Sequence, residues 1–183
     1  MERAVFRRVV GQEAIERLAR LADEIWHECF PGIISQGQID YMVARFQSAD
    51  AMMAQIAHDS YEYYTMQLGE RTIGYIGIRP EASRLFLSKL YLHRSCRGCG
   101  YASEAFRFLA RLCRERKLTA VYLTVNRYNR QAIAVYEKCG FRTIRAEKTD
   151  IGNGYCMDDY VMEWPITGED ASGDRFVQAK SIN

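Results

Sequence analysis

Residues 86–106 read FLSKLYLHRSCRGCGYASEAF, and this stretch decides how the chain is organised. An alternating, β-prone run ends at His93, a loop carries Gly98 and Gly100, and a helix begins at once. From Gly100 to Lys117 the spacing predicts an amphipathic helix with Phe106, Leu109, Leu112 and Cys113 on one face. Gly98 and Gly100 let the backbone approach a ligand without a Cβ in the way. The amides from Cys99 to Ser103, with the helix dipole behind them, suit a pyrophosphate. Arg94 and Arg97 add positive charge, and Arg127 and Arg130 join them if the next helix packs alongside. The same letters also fit a glycine turn before an ordinary helix.

Two other phosphate loops are excluded. A dinucleotide fingerprint needs a third small residue where Ser103 stands, and an opening parallel βαβ unit that this chain lacks. A Walker loop needs Gly-Lys-Ser/Thr, which is absent. Cys96-Arg97-Gly98-Cys99 is formally a C-x-x-C at a helix start and admits redox chemistry. The remaining cysteines are scattered singly, and His27, His58 and His93 form no pair at ligand spacing, so no metal site is expected.

Upstream of the loop, Ala4–Val10 reads as a strand and Gln12–Cys29 as a helix stopped by Pro31 and Gly32. Ile39 to about Phe46 reads as a second helix, and Ser48 caps a third. Tyr61–Leu68 and Thr72–Ile78 form a hairpin about Gly69-Glu70, followed by a strand over Arg84–His93. Downstream come strand Ala120–Val125, helix Asn129–Cys139 stopped by Gly140, and a hairpin of Arg142–Thr149 with Tyr155–Trp164. The expected class is α+β, a mixed α/β order around a mostly antiparallel sheet of six or seven strands. One domain is expected over 1–165, with a polar tail over 166–183 that is expected to be mobile.

The chain has 183 residues, 48% hydrophobic and 26% charged, which fits a globular domain. Its formal net charge of +2 is too small to point to nucleic acid. No stretch is long and apolar enough to span a membrane, and no secretory leader is seen, so a cytoplasmic protein with reduced cysteines is expected.

The second element is Asn129-Arg130-Gln131-Ala132-Ile133-Ala134-Val135-Tyr136-Glu137-Lys138-Cys139-Gly140-Phe141. Arg97-x-x-Gly100-x-Ala102, then strand AVYLTVN, then N-x-x-A-x-x-x-Y-E-K-x-G-F resembles the GNAT (GCN5-related) N-acetyltransferases over roughly Ala4–Trp164. ISQGQIDYMVARFQS and TDIGNGYCMDDYVMEW resemble the PaiA-type spermidine/spermine N-acetyltransferase subgroup. The resemblance implies a sheet splayed where acetyl-CoA lies. Its pantetheine arm would borrow the backbone of Leu90, Tyr91 and Leu92, and its pyrophosphate would sit on Arg97, Gly98, Cys99, Gly100, Tyr101, Ala102 and Ser103.

By the same resemblance Tyr136 is the general acid for the departing thiolate, although a helical Tyr that only packs fits as well. Asn129 contacts pantetheine or phosphate, caps its helix, or does both; Lys138 reaches a phosphate or is simply exposed. The acceptor is expected to be a small-molecule amine, most directly a polyamine. A protein N-terminus or lysine, and a non-catalytic acyl-CoA-binding module, are the alternatives.

No motif marks the base. Glu62, Glu28, His27 and Asp158 are the candidates, with Asp158 and Glu28 also placed as acceptor ligands. Asp158 and Asp159 are adjacent in a strand, so at most one easily faces the cleft. Tyr41, Tyr61, Tyr63, Tyr64 and Trp26 are either pocket walls or core. A homodimer is left open.

Overall fold

A computed structural model describes residues 2–167, so the expected C-terminal tail lies, past residue 167, outside the described residues. The chain divides into two compact units, Met1–Arg79 with Lys89–Arg97, and Pro80–Ser88 with the chain from Gly98 on.

The first unit is built on its longest helix. After strand β1 (Val5–Arg8), helix α1 (Gln12–Cys29) buries Ile15, Leu18, Ala22, Ile25 and Trp26, a stripe at helical spacing. Each large apolar side chain so buried contributes roughly 1.5–3 kcal/mol. The first four share a core with Val9, Met52, Tyr63 and Tyr75. Helix α2 (Gln36–Met42) starts on Ser35, whose side chain accepts from the Gln38 amide. It does not run on to Phe46 as an α-helix: residues Val43–Gln47 widen into a π-helical turn. Helix α3 (Ala49–His58) starts on Ser48, whose hydroxyl accepts from the Ala51 amide. Strands β2 (Glu62–Leu68) and β3 (Arg71–Pro80) pair antiparallel, and β1 pairs antiparallel with β2.

Strand β4 (Arg84–Leu92) runs out of the second unit into the first. In the second unit follow α4 (Tyr101–Glu115), β5 (Ala120–Asn126), α5 (Arg130–Lys138), β6 (Arg142–Gly152) and β7 (Tyr155–Pro165). Asn153 and Gly154 both take positive φ, which the two-residue β6–β7 turn requires. Phe106 of α4 meets Phe141 at 5.4 Å and Trp164 at 6.2 Å between ring centres, forming the aromatic centre of this unit.

Hydrogen bonding orders the strands β1-β2-β3-β4-β5-β7-β6. The pair β4/β5 is parallel, and β5/β7 and β6/β7 are antiparallel. The class is the expected mixed α+β, with a mostly antiparallel sheet of seven strands and five α-helices.

One buried residue breaks the apolar pattern of the first unit. Lys89 is 4% exposed; its Nζ donates to Gln55 Oε1 at 3.2 Å and lies 4.8 and 5.1 Å from the ring centres of Tyr61 and Tyr63. Gly77 makes room for it, since a Cβ there would meet Lys89 Cδ at 3.1 Å. Burial pushes the amine down to about 7. The unfolded chain therefore binds the extra proton between about pH 7 and 10.5, and stability rises with pH across that window. Lys89→Met removes this slope and stabilises the protein below pH 7 by on the order of 2–4 kcal/mol, after the tyrosine faces are allowed for. Thermal unfolding at pH 6 and 9 checks it: the variant's gain is full at the lower pH and falls to a little under half at the higher.

Candidate active site

The loop between β4 and α4 has the geometry its glycines suggested. Gly98 has φ +73°, with no atom within 4 Å of where a Cβ would stand. Gly100 is left-handed at φ 84° and caps α4 through its backbone, without a side-chain hydrogen bond. The Ser103 and Glu104 amides bond back to the Gly100 carbonyl at 3.1 and 3.3 Å, so the helix ladder begins there. Tyr101 and Ser103 are buried, Ala102 is half-buried, and Gly98 and Cys99 are exposed. Cys96 is buried while Cys99 is exposed, and none of the six cysteines forms a disulfide.

Chain path brings this loop to one end of β5. Helix α4 packs on β5 and joins its start through residues 116–119, so the helix runs back along the strand. Its N-terminus therefore lies toward Asn126, the last residue of β5. Residues 127–129 then lead directly into α5, whose cap is Asn129. The parallel register between β4 and β5 extends only from Arg84↔Ala120 to Phe86↔Tyr122, although β4 continues to Leu92 and β5 to Asn126.

Each of the other expected contacts has a definite place. Asn129 Oδ1 accepts from the Ala132 amide at 3.2 Å, which is the capping role. Tyr136 is half-buried, its ring centre 6.1 Å from Phe106 and 5.7 Å from Phe141. Lys138 is exposed in the last turn of α5, about 13 Å along the axis from Asn129 at 1.5 Å per residue. The two cannot serve one phosphate.

Leu90, Tyr91 and Leu92 are half-buried on β4. The Tyr91 ring packs against Trp26, Phe30 and Tyr75 at 5.4, 6.0 and 5.5 Å. Arg97 does not hold its guanidinium free for a phosphate. Its Nε donates to the Leu92 carbonyl at 2.9 Å, and its Nη2 donates to Cys29 Sγ at 2.8 Å and lies 3.6 Å from Glu28. Glu28 also accepts from the Arg94 amide at 3.2 Å. Glu28 and Arg97 thus tie the end of β4 to α1.

The other candidate bases are engaged too. Glu62 accepts from the Tyr64 hydroxyl at 2.7 Å. His27 Nε2 lies 2.9 Å from Asp40 and Nδ1 lies 2.9 Å from the Asp23 carbonyl. The Asp40 bond, followed by the Asp23 carbonyl, raises its pKa. This stabilising pair is complete below about 6.5 and fades as pH rises through the raised value. Asp158 meets Arg127 through two contacts of 3.3 Å. Trp26, Tyr63 and Tyr64 are core residues, while Tyr41 and Tyr61 are half-buried beneath arginines.

Asp159 is the carboxylate that sequence reasoning set aside. It is 5% exposed, and its Oδ1 is enclosed without a hydrogen-bond partner. Burial first, then the charges of Glu147 and Asp158, push its carboxyl up to about 6. Strand β7 has buried residues on both faces, including Val161, Met162 and Trp164, so alternation alone did not single it out. Among the described residues no group of three or more His, Cys, Asp or Glu is placed to hold a metal. No helix there is long and apolar enough to cross a membrane.

The sequence profile of the Acetyltransferase (GNAT) family matches residues 15–141. No curated protein sequence matches the chain. Among solved structures, the chain is similar to a PaiA N-acetyltransferase from Thermoplasma acidophilum in complex with coenzyme A. Identity is 21%, coverage is 88% of this chain and 98% of that one, and the TM-score is 0.73. It is also similar to a spermidine N-acetyltransferase mutant from Vibrio cholerae, at 14% identity, 89% and 94% coverage and a TM-score of 0.63. A third is the ribosomal-protein-S18-alanine N-acetyltransferase from Escherichia coli, at 14% identity, 90% and 94% coverage and a TM-score of 0.64. The last two are named for different acceptors while the fold is shared, so these likenesses speak to the fold.

Proposed function

Since the chain belongs to the GNAT family of acetyltransferases, we propose that it transfers acetyl from acetyl-CoA directly to a small primary amine, with polyamines as the acceptor class. The observation that carries the donor half is the loop: Gly98 and Gly100 at positive φ open α4, with open space beside Gly98. Backbone donors and the dipole of a fifteen-residue helix are the chemistry a pyrophosphate needs. Acetyl-CoA is a co-substrate here, and no metal is needed for the transfer.

The backbone of Leu90, Tyr91 and Leu92 receives the pantetheine arm, and one amide there faces the thioester oxygen. Such a donor is worth ~2.7–4 kcal/mol in acyl transfer, because it meets charge that develops only in the transition state. The Asn129 side-chain amide nitrogen is the atom left for the cofactor, since its oxygen caps α5. Tyr136 donates its phenolic proton to the leaving thiolate. An ordinary phenol has a pKa of about 10 against about 8.5 for a thiol, so Tyr136 keeps its proton at neutral pH and the transfer is uphill by only about 2 kcal/mol, which reprotonation of the phenolate by the acidic new amide nitrogen offsets.

The polyamine assignment rests on the sequence likeness in residues 34–48 and 149–164. The cytoplasm supplies both acetyl-CoA and polyamines. The test is a panel: spermidine, spermine, simple diamines, and peptides with free N-termini, each with acetyl-CoA at millimolar acceptor. Polyamine turnover well above the peptides supports the reading. Peptide turnover alone overturns the acceptor class and leaves the donor half standing.

A further inference from the structure

Resting on that reading, we propose that Asp159 binds the acceptor's ammonium group and takes its proton. Asp159 is paired in register with Asn126 of β5 on one side and Glu147 of β6 on the other, and Asp158 precedes it. Three carboxylates therefore gather at this place with two guanidinium groups and the exposed ammonium of Lys148, which is paired in register with Asp158. Arg127 meets Asp158 at 3.3 Å, and Arg145 meets Glu147 at 3.0 Å. Each guanidinium meets a neighbour's carboxylate, although Arg127 Nε is itself enclosed without a hydrogen bond, and no cation is among the groups that shift Asp159, the buried carboxylate, whose Oδ1 is enclosed and without a hydrogen bond.

An enclosed carboxylate without a cation must either stay protonated or receive one. An alkylammonium group supplies both the charge and the N–H donors. Position favours the same ligand. Asp159 stands opposite Asn126, the end of β5 toward which α4 points its N-terminus and from which α5 departs. Donor loop and acceptor carboxylate thus come to one end of one strand.

The ammonium gives one proton to the Asp159 carboxylate, breaking N–H and forming O–H. The neutral nitrogen attacks the thioester carbon, so a C–N bond forms and the C–S bond breaks. The departing thiolate takes the Tyr136 proton, and the phenolate regains one from the new amide nitrogen. Asp159 then releases its proton to solvent, giving N-acetylamine, free thiol and one proton. As a base Asp159 works ionised, so rate falls as pH drops through its pKa.

The test is acceptor kcat/KM from pH 5 to 9 at saturating acetyl-CoA, with CoA affinity measured by calorimetry. Wild type shows an acid limb with its inflection near 6. Asp159→Asn loses at least a hundredfold and the limb disappears, while CoA affinity stays within about twofold. Glu147→Gln keeps the limb but moves it to lower pH, because the Glu147 charge raises the carboxyl. Asp159→Asn with an unchanged limb and rate overturns the inference and leaves the acetyltransferase reading intact. If Asp159→Asn does not fold, an unmoved limb in Glu147→Gln overturns it instead. Wild-type protein that binds CoA but acetylates no amine removes the functional reading, and this inference with it.

Discussion

Tyr136→Phe lowers kcat by roughly 10²–10⁴-fold and leaves CoA affinity nearly unchanged. Loss of the hydroxyl removes the proton that the leaving thiolate needs, an interaction made only as the C–S bond breaks. The ring itself stays, and with it the packing on Phe106 and Phe141. Stability therefore changes little, which separates chemistry from folding. Single-turnover kinetics with pre-bound acetyl-CoA measures the step directly. Loss of kcat and CoA affinity by the same factor would assign Tyr136 to binding and leave the thiolate without its acid.

Gly74→Ala is expected to be the most damaging single methyl in the first unit. A Cβ there overlaps the Tyr91 carbonyl oxygen, stands 2.8 Å from Leu92 Cδ2 and lies 3.1 Å from Leu92 Cα. Two of those atoms are backbone, so relief requires β4 to move. Tyr91 is held by three aromatic rings, and the His93 amide bonds the Ile73 carbonyl at 2.9 Å on the neighbouring residue, so β4 resists. The cost is about 3 kcal/mol or more. At a few degrees per kcal/mol for a chain of this size, Tm drops by roughly 6–12 °C. Acetyl-CoA affinity falls with it, at least tenfold, because the displaced backbone is the stretch proposed to hold pantetheine. By contrast Gly98→Ala meets no atom and costs only the positive φ, ~1–2 kcal/mol. A Gly74→Ala protein that melts within 2 °C of wild type would show that β4 yields at Tyr91.

Most of the element order was legible because its signals are local. The α1 stripe, the Pro31 stop, the Ser48 cap and the glycine pair before α4 each act within a few residues. The π-helical turn at Val43–Gln47 was not, since a one-residue widening leaves apolar spacing nearly helical. Arg97 reads as a phosphate ligand in sequence, but its partners Glu28 and Cys29 are almost seventy positions earlier. Lys89 carried a readable clue. It shares strand parity with Leu85, Leu87 and Tyr91, so a cation there stood in an inward row. What kept it there, Gly77 and two tyrosines, lies in other segments of the chain. Asp159 had no such clue: its significance comes from two arginines already engaged by its neighbours.

The most direct test of the account mixes purified protein, acetyl-CoA and spermidine, and follows free thiol together with the mass of the amine. The account predicts thiol release matched one to one by N-acetylated amine, saturable in both substrates. Saturable CoA binding, with thiol release no faster than the amine-free background for spermidine and every other primary amine, would contradict it.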